Sequence, residues 1–235
     1  MRAVAGLQVR LATSSTGEDY VTGRLWERAT ITSCPWHPEG HCGLRRHGTY
    51  ERVTPPGCLV ARWYCPLTGR TVSALPDCLA AHRRGTLAEL EEHVLAVEQT
   101  ASLEHAAGTR RTEIELPGAL RYLGRLARDV HRALAVLRGL DPERFIGCAP
   151  TLAAFVALLG VRPVLVGLRG DYAAHLPGLA APLGFDPRRN GRHDTAGAYQ
   201  HRSGRDPPHA LIEARVLIHK RRPRHREHPH RLRSR

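Results

Sequence analysis

Three cysteines and one histidine between residues 34 and 65 constrain this chain more than any other feature. Cys34 and His37 form a Cys-Pro-x-His pair, in which a tight turn can aim two side chains at one ion. Cys42 follows after a Gly-containing loop, and Cys65 ends a strand-like stretch directly before a proline. The pattern favours a zinc site with ligands from neighbouring turns. The competing interpretation is that these cysteines are small apolar side chains within a core.

The sequence around these residues has the pattern of short β-strands separated by turns. GTYERV at 48–53 alternates in polarity, and CLVARWYC at 58–65 does the same. TPPG at 54–57 predicts the turn between them, and TGRTVSALP at 68–76 predicts a turn and a third strand. A β segment of this size is too small to bury a self-sufficient core, so a staple is expected.

The first 29 residues are harder to assign. LQVRLAT at 7–13 has the composition of a short strand. EDYVTGRLWERATI at 18–31 fits either a strand-turn-strand or a short helix. Both interpretations stay open for this stretch.

A helical hydrophobic period begins at Thr86. Thr86 and Glu89 have the spacing of a capping box, which predicts a helix over 87–106 that stops at Gly108. Pro117 suits the first position of a second helix, which ends at Gly139. The polar face of that second helix carries Arg121, Arg125, Arg128 and Arg132.

Shorter helices are predicted beyond residue 140. DPERF at 141–145 predicts one short helix capped by Asp141, and two more follow within residues 151–176. FVALLGVRPVLVGLR at 155–169 has the pattern of a helix-turn-helix, with Arg169 expected to be exposed on the second helix. Any helical hairpin would share this pattern.

These patterns predict an α+β protein, with a small β-rich zinc ribbon followed by an α-helical region and a disordered basic tail. The predicted divisions are an N-terminal segment at 1–29, the ribbon at 30–84, helices at 85–181 and the tail at 182–235. The tail is rich in Gly, Pro and charged residues, a composition that does not support a packed core.

The net charge of +13 indicates an anionic partner, most often a nucleic acid. Lys220 is the only lysine, which is typical of a GC-rich genome, and much of the excess charge lies in residues 219–235. The sequence has neither a secretory signal nor an unbroken apolar span, so a cytoplasmic location is expected. Thiols stay reduced there, which favours metal ligands or core residues over disulfides.

A family resemblance covers residues 32–90. CPWH, HGTYER, RWYCPLTGRTVSALP and HRRGTLAEL resemble the zinc ribbons of bacterial insertion-sequence transposases and their associated helix-turn-helix proteins. That family pattern contains Cys-Pro-x-Cys, then His-Gly-x-Tyr-x-Arg, then Tyr-x-Cys-Pro-x-Cys-Gly-Arg-Thr. The resemblance implies a zinc cofactor, a DNA partner and association with a mobile element, through element DNA or a recruited transposase.

The chain departs from the family pattern at two ligand positions. His37 replaces the second cysteine, which zinc accepts, whereas Thr68 replaces the fourth cysteine and cannot serve in its place. We expect Cys42 to supply the missing donor, with His41 and His47 as fallback donors. The predicted ligand set is Cys34, His37, Cys42 and Cys65. The remaining cysteines have no partner spacing and are expected to be buried fillers: Cys58, Cys78 and Cys148.

The predicted ribbon is rich in arginine, which suits phosphate and guanine. Tyr64 could stack on a base, whereas Trp63 is expected to fill the core. The predicted nucleic-acid-binding residues are Arg45, Arg46, Arg52, Arg62 and Arg70.

No complete catalytic constellation is recognisable, so no enzymatic activity is predicted. The acidic residues of the helical region lack the strand context that a transposase active site needs. Two alternatives to DNA binding remain: a protein interaction module that docks a partner on helices 87–106 and 117–138, and a degraded transposase-related frame.

Overall fold

A four-stranded mixed sheet forms the β part of this computed structural model, which describes residues 7–110 and 115–186. The strands are β1 (Leu7–Leu11), β2 (Arg45–Arg52), β3 (Cys58–Cys65) and β4 (Arg70–Pro76), in the spatial order β1-β4-β3-β2. The last three pair antiparallel as two consecutive hairpins, whereas β1 pairs parallel with β4. The three strands predicted between residues 48 and 76 are confirmed, and the N-terminal stretch adds a fourth.

The ambiguous stretch near residue 18 is helical. Helix α1 (Gly17–Thr22) begins with a capping box, in which the Thr16 hydroxyl accepts from the Asp19 amide at 3.1 Å. Tyr20 of this helix is fully buried, and its hydroxyl donates to the Leu59 carbonyl oxygen of β3 at 3.2 Å. The N-terminal segment therefore packs on the sheet through both β1 and α1.

Five α-helices follow the sheet within residues 77–110 and 115–186. They are α2 (Leu87–Gln99), α3 (Leu103–Arg110), α4 (Leu116–Leu140), α5 (Leu152–Leu159) and α6 (Val164–Asp171). A 3-10 helix, Ala173–Gly178, completes the helical region. The capping box at Thr86 and Glu89 and the helix beginning near Pro117 are confirmed.

Two helix predictions are wrong. The predicted helix over 87–106 is divided, because α2 ends at Gln99 and the Ser102 hydroxyl accepts from the His105 amide at the start of α3. The stretch DPERF forms turns rather than a helix, although the Asp141 carboxylate does accept from the Arg144 amide at 3.2 Å.

One hydrophobic core joins the sheet to the helices. It includes Val60 and Trp63 of β3 together with Leu126 of α4 and Phe155 of α5. The expected burial of Trp63 is therefore confirmed. The described residues all belong to one compact unit.

The core extends past the predicted boundary at residue 182. Leu183 and Phe185 are both buried in it. The other residues of the predicted tail, 187–235, lie outside the described residues.

Two glutamates of α2 hold the N-termini of α5 and α6. The Glu98 carboxylate accepts from the amides of Leu152 and Ala153 at 2.8 and 2.7 Å. The buried Glu91 carboxylate accepts from the Leu165 amide at 2.9 Å. Each carboxylate satisfies amides that have no partner within their own helix, and its charge is favourable at that end.

The predicted helix-turn-helix segment forms two helices that bend by 77° at the turn, but Arg169 is fully buried instead of exposed. Its guanidinium lies in the core and donates to main-chain carbonyl oxygens of two separate stretches. One stretch begins at the end of β4, and the other lies near the end of the described residues. These acceptors are Pro76, Asp77, Leu79, Pro182 and Leu183. Burial lowers the pKa of Arg169 to about 9.

No single helix within residues 7–110 and 115–186 is long and apolar enough to cross a membrane. Helices α5 and α6 together have the length and apolar composition of a membrane span, but they are two helices bent by 77° with respect to each other.

Candidate metal centre and the adjoining sheet end

The first two predicted ligands come from one tight turn. The His37 amide donates to the Cys34 carbonyl oxygen at 3.1 Å, which brings the two side chains to the same side of the turn. The Gly40 amide then donates to the His37 carbonyl oxygen at 3.0 Å. A Cys-Pro-x-His sequence therefore folds locally as the knuckle that its spacing predicts.

Left-handed backbone on both sides of Cys42 turns this residue towards the knuckle. His41 has a φ of 61° and Gly43 a φ of 66°. A Cβ atom on Gly43 would lie 3.4 Å from Cγ of Pro66, so this glycine lets the loop approach the residue that follows Cys65. Cys65 is the last residue of β3 and pairs with Arg70 of β4.

These turns bring all four predicted ligands together. The thiol sulfurs of Cys34, Cys42 and Cys65 and a ring nitrogen of His37 all lie within 4.8 Å of one another. Nδ1 of His37 is 3.6 Å from Sγ of Cys34 and 3.4 Å from Sγ of Cys65. On a tetrahedral zinc with Zn–S of about 2.3 Å and Zn–N of about 2.0 Å, such pairs are about 3.5 Å apart. The four residues are close enough to hold a metal.

The cluster is largely shielded from solvent. The three cysteines are buried, His37 is half-buried, and Trp36 and Leu44 pack against the sulfurs. An apolar surround limits access of water and of competing ligands to a bound metal. The residues present thus fit a small, soft divalent ion such as zinc.

Hydrogen bonding prepares one of the thiols for a metal. Burial raises the pKa of Cys65, but hydrogen bonds with the Thr68 hydroxyl and amide and with the Cys34 and Cys42 thiols together outweigh it and lower the pKa to about 6. Burial raises the pKa of Cys42, and the hydrogen bond with Cys34 adds to the rise. A metal that takes up the Cys65 thiolate therefore has a ligand that is already ionised near neutral pH.

The other cysteines and the fallback histidines lie outside the cluster. Cys58, Cys78 and Cys148 are buried, which confirms the expectation that they are fillers. His41 is exposed, and the ring of His47 lies 5.6 Å from that of Tyr64. Within the described part of the chain, the four predicted ligands form the one group of this kind that could hold a metal.

Three of the five arginines predicted to bind nucleic acid make contacts inside the protein. The Arg46 guanidinium donates to the carbonyl oxygens of Trp26 and Ala29 and lies over the Trp63 ring. Arg52 is buried and donates to the carbonyl oxygens of Ala80 and Arg83. Arg62 donates to the Thr71 hydroxyl at 2.8 Å. Their sequence context gave no signal for these contacts, because most of the acceptors are main-chain atoms.

Arg45, Arg46 and Arg70 are the exposed members of the predicted set, and Arg46 is already engaged with the carbonyl oxygens of Trp26 and Ala29. Arg45 of β2 pairs with Tyr64 and places its guanidinium 5.7 Å from the centre of the Tyr64 ring. Arg70 of β4 pairs with Cys65 on the other side of β3. Arg45 and its partner Tyr64 share one face of the sheet, whereas Arg70 and its partner Cys65 lie on the other face at the same end. We call Arg45, His47, Tyr64 and Arg70 the sheet-end surface, which includes both faces of this end.

No protein-family model, curated protein or solved structure matches this chain. Its class is therefore defined by its own fold and site: an α+β protein with a cluster of three cysteines and one histidine at one end of a mixed sheet.

Proposed function

We propose that this protein is a zinc-stapled DNA-binding protein, in which the metal is structural. The observation that carries the proposal is the convergence of Cys34, His37, Cys42 and Cys65 within 4.8 Å. Four protein donors fill a tetrahedral zinc site and leave no position open for a substrate or a water molecule. When bound, zinc would cross-link the four ligands and supply no reaction.

The staple acts on a loop that has little regular structure of its own. Residues 30–44, between α1 and β2, form turns and bends, and three of the four ligands are spread along them. Cys65 belongs to the sheet. A metal held by both parts would fix the loop against the end of β3, and its binding free energy would add to folding.

The sheet-end surface supports the DNA-binding part of the proposal. The guanidinium groups of Arg45 and Arg70 suit phosphate oxygens, and the half-exposed Tyr64 ring offers a stacking face. The staple would hold this surface rigid, because Cys65 pairs with Arg70 and directly follows Tyr64, the partner of Arg45. Association with a mobile element rests on the resemblance of residues 32–90.

The alternative of a protein-docking module loses support from the helix packing. The apolar stripes of α2 and α4, including Leu90, Val94, Leu123 and Val130, are buried within the chain. A partner could reach these faces only if the core opened. DNA binding through exposed arginines requires no such change.

The DNA proposal is tested by fluorescence anisotropy with a mixed-sequence duplex of about 20 base pairs over a series of NaCl concentrations. We expect log Kd to depend linearly on log salt, and Arg45→Gln with Arg70→Gln to reduce the slope by about 1.8. The matched control is Arg28→Gln with Arg84→Gln, which removes two exposed arginines elsewhere. Equal effects of the two pairs, or no binding by the wild-type chain, would contradict the proposal.

A further inference from the structure

A second line of arginines runs along the exposed face of α4. Between Pro117 and Ala135, every exposed side chain of this helix is an arginine. The residues of this α4 arginine stripe are Arg121, Arg125, Arg128 and Arg132. Neighbours along the stripe are three or four residues apart, so all four share one face of the helix.

The stripe has no acidic partner in the part of the chain that the structure describes. Across residues 7–110 and 115–186, none of its four guanidinium groups forms an ion pair. The one acidic residue of α4, Asp129, pairs with Arg83. Like charges three or four residues apart repel and destabilise a helix. An anionic partner would remove this repulsion.

We infer that the α4 arginine stripe binds the phosphate backbone of duplex DNA. This rests on the proposed function and adds a second contact surface to it. From Arg121 to Arg132 the helix rises about 16 Å, the axial length of about five base pairs. Guanidinium groups can each donate two hydrogen bonds to one phosphate, and no base contact is needed for this kind of binding.

The burial pattern of α4 argues against a membrane as the anion. An interfacial helix inserts an apolar face among the lipids. The apolar face of α4, including Leu126 and Val130, is buried in the protein core, and no exposed apolar side chain interrupts the stripe. Contact through charge alone is typical of the nucleic-acid backbone.

The test uses the full chain, a mixed-sequence duplex and the dependence of Kd on NaCl. Arg125→Gln with Arg128→Gln removes two phosphate contacts and should reduce the slope of log Kd against log salt by about 1.8. Glutamine is a good helix former, so the circular dichroism spectrum should stay unchanged. The control pair, Arg28→Gln with Arg84→Gln, changes the net charge equally and should leave the slope unchanged.

The outcomes separate this inference from the proposed sheet-end surface. We call the variant with Arg125→Gln and Arg128→Gln the stripe pair. If the slope falls with Arg45→Gln and Arg70→Gln but not with the stripe pair, the inference about α4 is wrong and the proposed sheet-end surface stands. A slope that falls with the stripe pair alone supports the inference and overturns the sheet-end surface. If the wild-type chain does not bind the duplex, both fail. If the stripe pair weakens binding to polyglutamate but not to the duplex, the partner is an acidic protein and the inference is wrong.

Discussion

Thr68 illustrates how a side chain outside the four candidate ligands still acts on one of them. In the zinc-ribbon pattern that residues 32–90 resemble, its position carries a cysteine, which is why the sequence alone left the fourth ligand in question. Its hydroxyl and amide instead donate to the Cys65 sulfur. Groups that hydrogen-bond to a ligand orient it and favour its ionised form.

Removal of the Thr68 hydroxyl should therefore weaken metal binding without removing a ligand. Thr68→Val keeps the shape of the side chain and the donating amide, and we expect about a tenfold loss of zinc affinity. The measurement is zinc competition against a chelator at pH 7. Thr49→Val, at an exposed position of β2, should leave the affinity unchanged. Equal affinities for Thr68→Val and the wild type would show that the hydroxyl plays no part.

Residue spacing was sufficient to predict which four side chains converge but not the roles of the arginines. Cys34, His37 and Cys42 lie on one continuous loop, so their convergence depends mainly on local turns. Arg46 and Arg52 donate to carbonyl oxygens that lie 17 to 31 residues away. Because every residue carries a carbonyl group, no residue type in the sequence marks such an acceptor.

Among the helices, the carboxylates of α2 form hydrogen bonds that connect this helix to its neighbours. The Glu98 carboxylate accepts from two amides of α5 and from the His131 ring of α4 at 2.6 Å. Burial raises the pKa of Glu98, but the hydrogen bonds from His131 and these amides outweigh it and hold the pKa below its usual range. One side chain therefore connects α2, α4 and α5.

The stabilisation from Glu98 should depend on pH. Because its pKa is lower in the folded state, its contribution is fully present above its usual pKa, near 4.5, and is lost as the pH falls below that value. We expect Glu98→Gln to lower the free energy of unfolding by about 1 to 2 kcal/mol at pH 7. The deficit should shrink at pH 3.5.

Urea unfolding at the two pH values measures this effect. Glu104→Gln, at an exposed position of α3, is the matched control and should change the free energy of unfolding little at either pH. A deficit for Glu98→Gln that is the same at pH 7 and pH 3.5 would contradict an electrostatic role for the carboxylate.

Helices and strands that depend on residues close together in the sequence could be predicted. Features that depend on contacts between residues far apart in the sequence could not. The hairpins of β2, β3 and β4 and the capping box of α2 follow from alternation, turns and caps within a few residues. The parallel pairing of β1 with β4 joins residues that are about 65 positions apart, and no local pattern specifies it. The division between α2 and α3 depends on the competing cap at Ser102, which the continuous apolar period concealed.

For the whole molecule, the structure revises the expectation of a separate ribbon. The sheet shares its hydrophobic core with the helices. Arg169 of α6 also donates to the carbonyl oxygens of Asp77, just after β4, and of Leu183, beyond the last helix. The fold therefore does not depend on the metal for its entire core. The proposed zinc would chiefly hold the loop at residues 30–44, and its removal should affect that loop and the sheet end before the helices.

The zinc content of the purified full chain decides whether Cys34, His37, Cys42 and Cys65 form a metal site. Elemental analysis should give one zinc per chain for the wild type and for His41→Ala, since the exposed His41 lies outside the cluster. Cys34→Ser, Cys42→Ser and Cys65→Ser should each fall well below one. Zinc far below one equivalent in the wild type, or a full equivalent retained by Cys42→Ser, would rule out a zinc site with these four ligands.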